Sequence, residues 1–171
     1  MSNSLSTKVL AEVAILVALA TVLSYIRFVV FPQGGSVTLA SMVPLIILSY
    51  RRGWKVGIFA CLVHGLIQFY QDPYMLSLAQ VLLEYPVAFG VIGLAGIFKG
   101  NELIGAVVSL GLRFLAHTLA GVVFWSEYAP PGMSPILYSV IYNGTYMLPE
   151  IIISGVFVYA LVKRGILELN L

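Results

Sequence analysis

Three polar side chains that are suited to ligand binding lie deep inside apolar segments of the sequence. They are a carboxylate, Glu84, an imidazole, His117, and an amide, Asn143. Inside a membrane such groups cost roughly 2.5–3.5 kcal/mol each on insertion scales, so they mark function more often than surface charges do. Two aromatic residues, Trp125 and Tyr138, lie on the same segments. A carboxylate under aromatic rings suits a flat, nitrogen-rich cation, because the rings supply cation–π attraction and the carboxylate supplies charge and hydrogen bonds.

Other kinds of chemistry have no support in the sequence. A GxxxxGK[ST] nucleotide loop is missing, so we expect no ATP hydrolysis by this chain. No HExxH motif or paired histidine and carboxylate spacing predicts a metal site, and no serine elbow predicts acyl transfer. The single cysteine, Cys61, excludes a disulfide framework. We therefore expect binding rather than catalysis, with no catalytic residue, metal or cofactor.

The composition predicts the elements that must position these residues. Of the 171 residues, 60% are hydrophobic and 9% are charged, whereas a soluble domain carries about 25% charged residues. The mean hydropathy is +1.01. These values exclude a soluble enzyme, and a net charge of +2 is too small to predict a nucleic-acid surface. The sequence predicts an all-α, polytopic membrane protein with one domain over residues 1–171.

Six apolar segments are candidate membrane spans, and we interpret the first as a retained helix rather than a signal peptide. The second segment has 14 residues and reaches roughly 21 Å as a helix, less than a hydrocarbon core of about 30 Å. We expect the preceding FPQGGS, residues 31–36, to form a loop over or into the membrane. The six spans are 7–31, 37–50, 54–70, 75–98, 103–126 and 134–162.

The basic residues predict the orientation of the bundle. Those at the chain ends and in the loops after spans 2 and 4 share one side, and Arg27 is the one basic residue near the other side. By the positive-inside rule, both termini are therefore cytoplasmic. The basic residues on the cytoplasmic side are Lys8, Arg51, Arg52, Lys55, Lys99, Lys163 and Arg164.

With this topology, the three polar groups lie at a common depth. Glu84 is about ten residues below the outer entry of span 4 near Tyr74, His117 about eight below Trp125, and Asn143 about nine below the outer end of span 6. Nothing in the apolar pattern requires that coincidence. It predicts one pocket near the outer surface, formed by three helices.

Residues on span 5 form one stripe that suits this pocket. His117, Gly121 and Trp125 are spaced i, i+4 and i+8, and Arg113 extends the stripe inward. On span 4, Pro86 follows Glu84 closely and is expected to free a backbone carbonyl and bend the helix.

Several of these residues also have a structural interpretation. Glu84 is able to form a buried ion pair with Arg113, which would not exclude binding. For His64 we favour a structural role, and for Tyr128 a place in the interfacial aromatic belt. Glu150 has no role that the sequence explains.

On span 1, Ala11, Ala14 and Ala18 form a stripe of small residues that permits close helix approach in lipid. The stripe either packs within the chain or meets a partner.

Four sequence blocks, in this order, resemble the thiamine-specific S components of energy-coupling factor transporters, which are vitamin-capture subunits in bacterial membranes. The resemblance covers nearly the whole chain. The blocks are FPQGGS with the short span ending in SYRRG, SLAQVLLEYPVA, RFLAHTLAGVVFWSEYA and YSVIYNG.

The resemblance implies a six-helix subunit that captures thiamine from outside and works with a transmembrane T component and two cytoplasmic ATPases. It implies that Glu84 and Asn143 bind the aminopyrimidine end of thiamine. His117 and Trp125 would lie against the rings, and Tyr138 would contribute to the pocket.

The resemblance also assigns more peripheral positions. Tyr85 and Tyr74 match positions near the ligand, and Gly121 lets the ligand approach the backbone. Ala14 and Ala18 match the small residues that contact the T component. Some members have a tryptophan lid in the first outer loop, whereas this chain has glycines at 34 and 35, so the sequence does not predict an aromatic lid there.

Thiamine capture is thus the function that the sequence predicts. Three alternatives stay open: an S component for another vitamin, an intramembrane enzyme that uses Glu84 and His117 as acid and base, and a self-sufficient secondary transporter.

Overall fold

Six helices and one short β-hairpin make up the fold, seen in a computed structural model that describes residues 6–168. Residues 1–5 and 169–171, the ends of the predicted domain, lie outside the described residues. The hairpin strands are β1 (Arg27–Val30) and β2 (Ser36–Thr38). The helices are α1 (Thr7–Ser24), α2 (Val43–Arg52), α3 (Trp54–Gln71), α4 (Leu78–Ile97), α5 (Glu102–Phe124) and α6 (Pro135–Lys163).

Four of these helices, α1, α4, α5 and α6, are long and apolar enough to cross a membrane. The predicted class, a polytopic bundle of membrane helices, is confirmed. Helices α3, α5 and α6 begin and end within two residues of the predicted spans.

The predicted first span over residues 7–31 is wrong at its outer end. Helix α1 ends at Ser24, and β1 then pairs antiparallel with β2. Val29, Val30 and Val37 are β-branched residues, which favour strands. Gly34 and Gly35 have φ values of +84° and +83°, which suit glycine in the turn. The loop predicted at 31–36 is therefore the tip of a hairpin whose strands replace the last turns of a helix.

Helix α2 is shorter than the predicted span 37–50 and has ten residues. The predicted first residues of that span form β2 and a turn instead. Residues 40–50 are all buried, so this backbone is surrounded by protein rather than by lipid. Non-helical backbone at membrane depth is tolerated under that condition.

Helix α4 is irregular around Glu84. A π-helical turn covers Leu83–Val87, and the last two turns, Val91–Ile97, are 3₁₀. Pro86 lies inside the π-helical turn. Proline has no N–H and its ring clashes with the carbonyl four residues earlier, so a wider turn relieves the strain. A π-helical turn is thus the irregularity observed at Pro86, and this wide turn carries Glu84.

A buried ionic cluster joins α1 to α2 at the end of the bundle that is predicted to be cytoplasmic. Arg51 Nε donates to Glu12 Oε1 at 2.5 Å, and Arg52 pairs with the other carboxylate oxygen. Arg51 also donates to the carbonyl of Ile166 at 2.8 Å. Arg51 and Arg52, two of the basic residues that predict the orientation, therefore also bind α1 to the rest of the fold.

Candidate functional site

A cavity of about 410 Å³ opens at the end of the bundle that carries the hairpin. Its walls come mainly from the hairpin, the segment between α3 and α4, and helices α4, α5 and α6. Ser24 at the end of α1, Gln68 on α3 and the turn before α2 also contribute. All eight residues that the sequence assigned to a binding site line this one cavity. They are Tyr74, Glu84, Tyr85, His117, Gly121, Trp125, Tyr138 and Asn143.

The carboxylate of Glu84 is held by donors from two helices. Trp125 directly follows the last residue of α5, and its Nε1 donates a hydrogen bond to Glu84 Oε1 at 3.0 Å. Gln80 Nε2 on α4 donates to Glu84 Oε2. The alternative ion pair with Arg113 is wrong, because within residues 6–168 no such pair forms within 4.0 Å. The Arg113 guanidinium instead lies 4.3 Å from the ring centre of Phe89.

Aromatic rings form the outer wall beside this carboxylate. The Trp125 ring centre lies 4.8 Å from that of Tyr74 and 5.7 Å from that of Tyr128. Tyr85 is fixed by its hydroxyl, which donates to the carbonyl of Asp72 at 2.9 Å. Tyr128, assigned from the sequence to the interfacial belt, lines the cavity as well. A planar cation entering here meets π faces next to a negative charge.

Helix α6 supplies a ladder of three tyrosines, of which only Tyr138 was predicted from the sequence as a site residue. Tyr138, Tyr142 and Tyr146 follow each other at four-residue spacing, with ring centres 6.0 and 6.2 Å apart. All three line the cavity. Their i, i+4, i+8 spacing could have indicated Tyr142 and Tyr146 from the sequence, because residues with this spacing share one helix face.

Asn143 connects α5 to α6 inside the cavity. Its Nδ2 donates to the Ser139 carbonyl at 2.9 Å and lies 3.4 Å from the carbonyl of His117, and its Oδ1 accepts from the Tyr146 hydroxyl. These bonds hold the amide plane against the cavity wall.

The two histidines differ in their surroundings. His117 packs edge-on against the Tyr146 ring at 6.1 Å, and its buried Nε2 has no hydrogen-bond partner in the described part of the chain. His64 lies outside the cavity wall, and its ring nitrogens lie 3.3 Å from Thr21 Oγ1 and 3.2 Å from Gln68 Nε2. The partners of His64 fit the structural role that the sequence favoured.

The hairpin tip contacts the tyrosine ladder. The Tyr142 hydroxyl accepts a hydrogen bond from the backbone N–H of Gln33 at 3.0 Å and donates one to the Gly34 carbonyl at 2.7 Å. The Phe31 ring centre is 6.2 Å from that of Tyr142 and 6.0 Å from that of Tyr146. Although the loop has no tryptophan, it therefore brings an aromatic residue, Phe31, to the cavity wall.

Glu150, unexplained by the sequence, anchors the base of the hairpin. Its Oε1 accepts from the Thr38 hydroxyl at 2.7 Å and from the Thr38 amide, and the residue is almost fully buried. The Thr38 hydroxyl also lies 2.6 Å from Ser41 Oγ. A carboxylate on α6 thus fixes strand β2 beside the cavity.

Gly121 lines the cavity and is also required by helix packing. A Cβ at this position would lie 2.1 Å from Ser139 Oγ on α6. That hydroxyl is already engaged, since it donates to the Thr118 carbonyl at 2.7 Å. The missing side chain therefore makes room for the neighbouring helix.

We expect Gly121→Ala to destabilise the protein by about 1–3 kcal/mol, the usual cost of overpacking. The matched control is Gly111→Ala on the same helix, where an added Cβ meets nothing within 4 Å. That change should stabilise the helix by up to about 1 kcal/mol. Thermal unfolding in detergent measures both. Equal unfolding temperatures for the two variants would show that α5 and α6 are not in close contact at Gly121.

Comparisons with known proteins show which sequences this chain resembles. The sequence model of the family described as "Thiamine transporter protein (Thia_YuaJ)" matches residues 10–168. The thiamine transporter ThiT of Bacillus subtilis (strain 168) is 38% identical over an alignment covering 86% of each chain. ThiT of Lacticaseibacillus paracasei is 31% identical, over 80% of this chain and 77% of its own.

A solved structure of ThiT from Listeria monocytogenes has a closely similar fold. The TM-score is 0.81 with 29% sequence identity, and the match covers 91% of this chain and 93% of that one. The family match extends over almost all of the described residues, including every residue of the cavity wall. The chain belongs to the family of thiamine transporter proteins.

Proposed function

We propose that this chain is the thiamine-capture subunit of an energy-coupling factor importer. Membership of a transporter family confirms the expectation that the chain is not an enzyme, and it removes the intramembrane enzyme from the alternatives. The observation that carries the proposal is the carboxylate of Glu84 beside aromatic rings in one cavity of about 410 Å³. Thiamine is a flat, nitrogen-rich cation and matches that chemistry.

In the proposed complex each wall of the cavity has its own role. Glu84 and Asn143 bind the aminopyrimidine end, with the carboxylate supplying charge-assisted hydrogen bonds. His117 and Trp125 lie against the rings, and Tyr138 closes the α6 side. Support for these roles comes from the convergence of all five side chains on one cavity.

Tyr74 and Tyr85 complete the proposed site on the side of the loop between α3 and α4. The Tyr74 ring packs against Trp125, and Tyr85 is tied to the loop through Asp72. Gly121, in the cavity wall, lets the ligand approach the backbone, and its lack of a side chain also lets α5 and α6 approach each other.

We further propose that a transmembrane T component and two cytoplasmic ATPases supply the energy. The small-residue stripe on α1 supports a partner, because Ala11, Ala14 and Ala18 are all exposed in this structure. The buried face of α1 is formed by other residues, including Val13 and Val17. The stripe therefore does not pack within the described chain.

In this proposal the whole chain, residues 1–171, is one substrate-binding domain of a multi-pass protein in a bacterial cell membrane. Both termini face the cytoplasm, and the cavity faces outward. Support for the orientation comes from the basic residues, since Arg51, Arg52 and Lys163 lie at the opposite end of the bundle from the hairpin.

Native mass spectrometry of the protein purified in detergent tests the proposed ligand. We expect a co-purified molecule with the mass of thiamine, and saturation on adding thiamine to ligand-free protein. A bound molecule with the mass of another vitamin would support the alternative capture subunit. Failure to bind added thiamine would contradict the proposal.

Intrinsic fluorescence gives an independent prediction for Trp125. The chain has two tryptophans, and Trp54 lies at the far end of α3 from the cavity. We expect thiamine to quench the parent protein and to leave Trp125→Phe nearly unchanged. Trp54→Phe is the matched control and should retain the quenching.

Affinity should follow the π surface at position 125. Trp125→Ala should lose more affinity than Trp125→Phe, because phenylalanine keeps an aromatic face. Equal losses would argue against stacking, and quenching that persists in Trp125→Phe would remove this residue from the site.

A further inference from the structure

Gln80 lies behind the proposed site rather than in its wall. Its side chain is fully buried, and it is not among the residues that line the cavity. It precedes Glu84 by four residues on α4, so the two side chains share a helix face. Ser77 caps this first turn, accepting from the Gln80 amide at 3.2 Å. Gln80 lies in the block SLAQVLLEYPVA, but no role for it was predicted from the sequence.

The amide of Gln80 has one orientation that satisfies its neighbours. The backbone amide of Leu76 donates to Gln80 Oε1 at 3.1 Å. A backbone N–H is a donor, so the side-chain atom facing it must be the oxygen. The NH₂ group then necessarily faces Glu84, where it donates to Oε2.

The carboxylate of Glu84 depends on two donors for its orientation. Gln80 bonds one oxygen and Trp125 Nε1 bonds the other, and the structure shows no further bond to this carboxylate from residues 6–168. Glu84 also lies on the π-helical turn produced by Pro86, away from regular helical geometry. Each carboxylate oxygen keeps a second acceptor position, which stays available to a ligand.

We propose that Gln80 is a positioning residue: it does not touch the ligand, and it holds the carboxylate of Glu84 in the orientation that a nitrogen-rich cation meets. This inference rests on the proposed function of thiamine binding. A group fixed in advance loses less conformational freedom on binding, so its ligand binds more tightly. One donor comes from inside the fold and one from the cavity wall, so Gln80 is the donor that ligand contacts cannot displace.

The test replaces Gln80 by methionine, which has a similar length and no donor. Isothermal titration of the purified chain with thiamine should show affinity weakened about tenfold or more. The matched control is Gln71→Met on α3, where the glutamine accepts a hydrogen bond from Ser24, does not itself line the cavity and makes no hydrogen bond to Glu84. This control should bind like the parent. Gln80→Leu repeats the test if the methionine variant does not fold.

A double-mutant cycle separates positioning from a general structural effect. In the Glu84→Gln background, Gln80→Met should cost less than about threefold further affinity, because the charged group that it positions is gone. Titration up to millimolar thiamine keeps these weaker variants measurable. An equal loss in both backgrounds would assign Gln80 a structural role and overturn the inference.

The two proposals fail in different ways. If the parent chain does not bind thiamine, the proposed function is wrong. If the parent binds thiamine and Gln80→Met binds it equally tightly, the function stands and the positioning role is wrong.

Discussion

Glu84→Gln is expected to weaken thiamine binding by about 1.5–3 kcal/mol, which is roughly a ten- to hundredfold loss of affinity. The substitution keeps the size of the side chain and removes the negative charge. Inside a half-buried cavity that charge interacts more strongly with a cation than it would in water. A carboxylate accepts hydrogen bonds with both oxygens, whereas an amide has one acceptor oxygen and one donor nitrogen. The amide therefore cannot accept hydrogen bonds from Gln80, Trp125 and the ligand as the two carboxylate oxygens do.

Isothermal titration in detergent measures this loss, with thermal unfolding as the check on folding. Glu127→Gln is the matched control: this carboxylate is exposed in the segment between α5 and α6 and does not line the cavity. We expect it to bind thiamine like the parent. If Glu84→Gln also binds like the parent, the cavity carboxylate is not the group that recognises the ligand. A structural pair with Arg113 could not then explain Glu84, since that pair is absent from the described residues.

The place of the cavity was predictable because helices have a constant rise. Counting residues inward from the outer ends of spans 4, 5 and 6 placed Glu84, His117 and Asn143 at one depth. The structure brings all three to one cavity. The count needed only the topology and the approximate outer end of each span. Those ends lie within two residues of the observed helix ends for spans 5 and 6, whereas the helix of span 4 begins at Leu78 rather than near Tyr74.

The hairpin was not predictable by the same means. Residues 25–30 are as apolar as the helix before them, and Phe28 and Val30 remain exposed. In a membrane protein, apolar character therefore does not separate an exposed strand from the end of a helix. What decides the structure is pairing with β2 and the anchor from Glu150 to Thr38, a contact between residues far apart in sequence.

The hydrogen-bond partners of the site also could not be predicted from the sequence. Arg113 was a candidate basic partner for the Glu84 carboxylate, whereas its actual donors are the amide of Gln80 and the indole of Trp125. Because both donors are neutral, no pattern of charged residues in the sequence indicates them. The four-residue spacing from Gln80 to Glu84 is visible, but on an apolar helix such spacing is common and points to no particular pair.

The largest effect on transport is expected on α1, far from the ligand. Ala14→Trp or Ala18→Trp should abolish thiamine uptake and leave thiamine binding intact. Both alanines are exposed on a stripe of small residues, which permits close approach of a partner helix in lipid. An indole at either position holds the partner away. Neither residue lines the cavity, so capture has no reason to change.

Two measurements are needed: titration of the purified variants with thiamine, and uptake of radiolabelled thiamine by liposomes that contain the full complex. The matched control is Ile152→Trp, which adds the same ring at an exposed position on α6. We expect this control to bind and transport like the parent. It separates loss of a specific contact from a general effect of a bulky ring on the membrane surface of the protein.

Separation of capture from uptake is the property that distinguishes a capture subunit from a self-sufficient transporter. If the chain carries thiamine into liposomes without the ATPase partners, its assignment as a capture subunit is wrong. If Ala14→Trp destroys binding as well as uptake, the stripe supports the fold of the chain itself, despite its exposure. Intact binding with no uptake would place the energy source in other chains and the contact to them on α1.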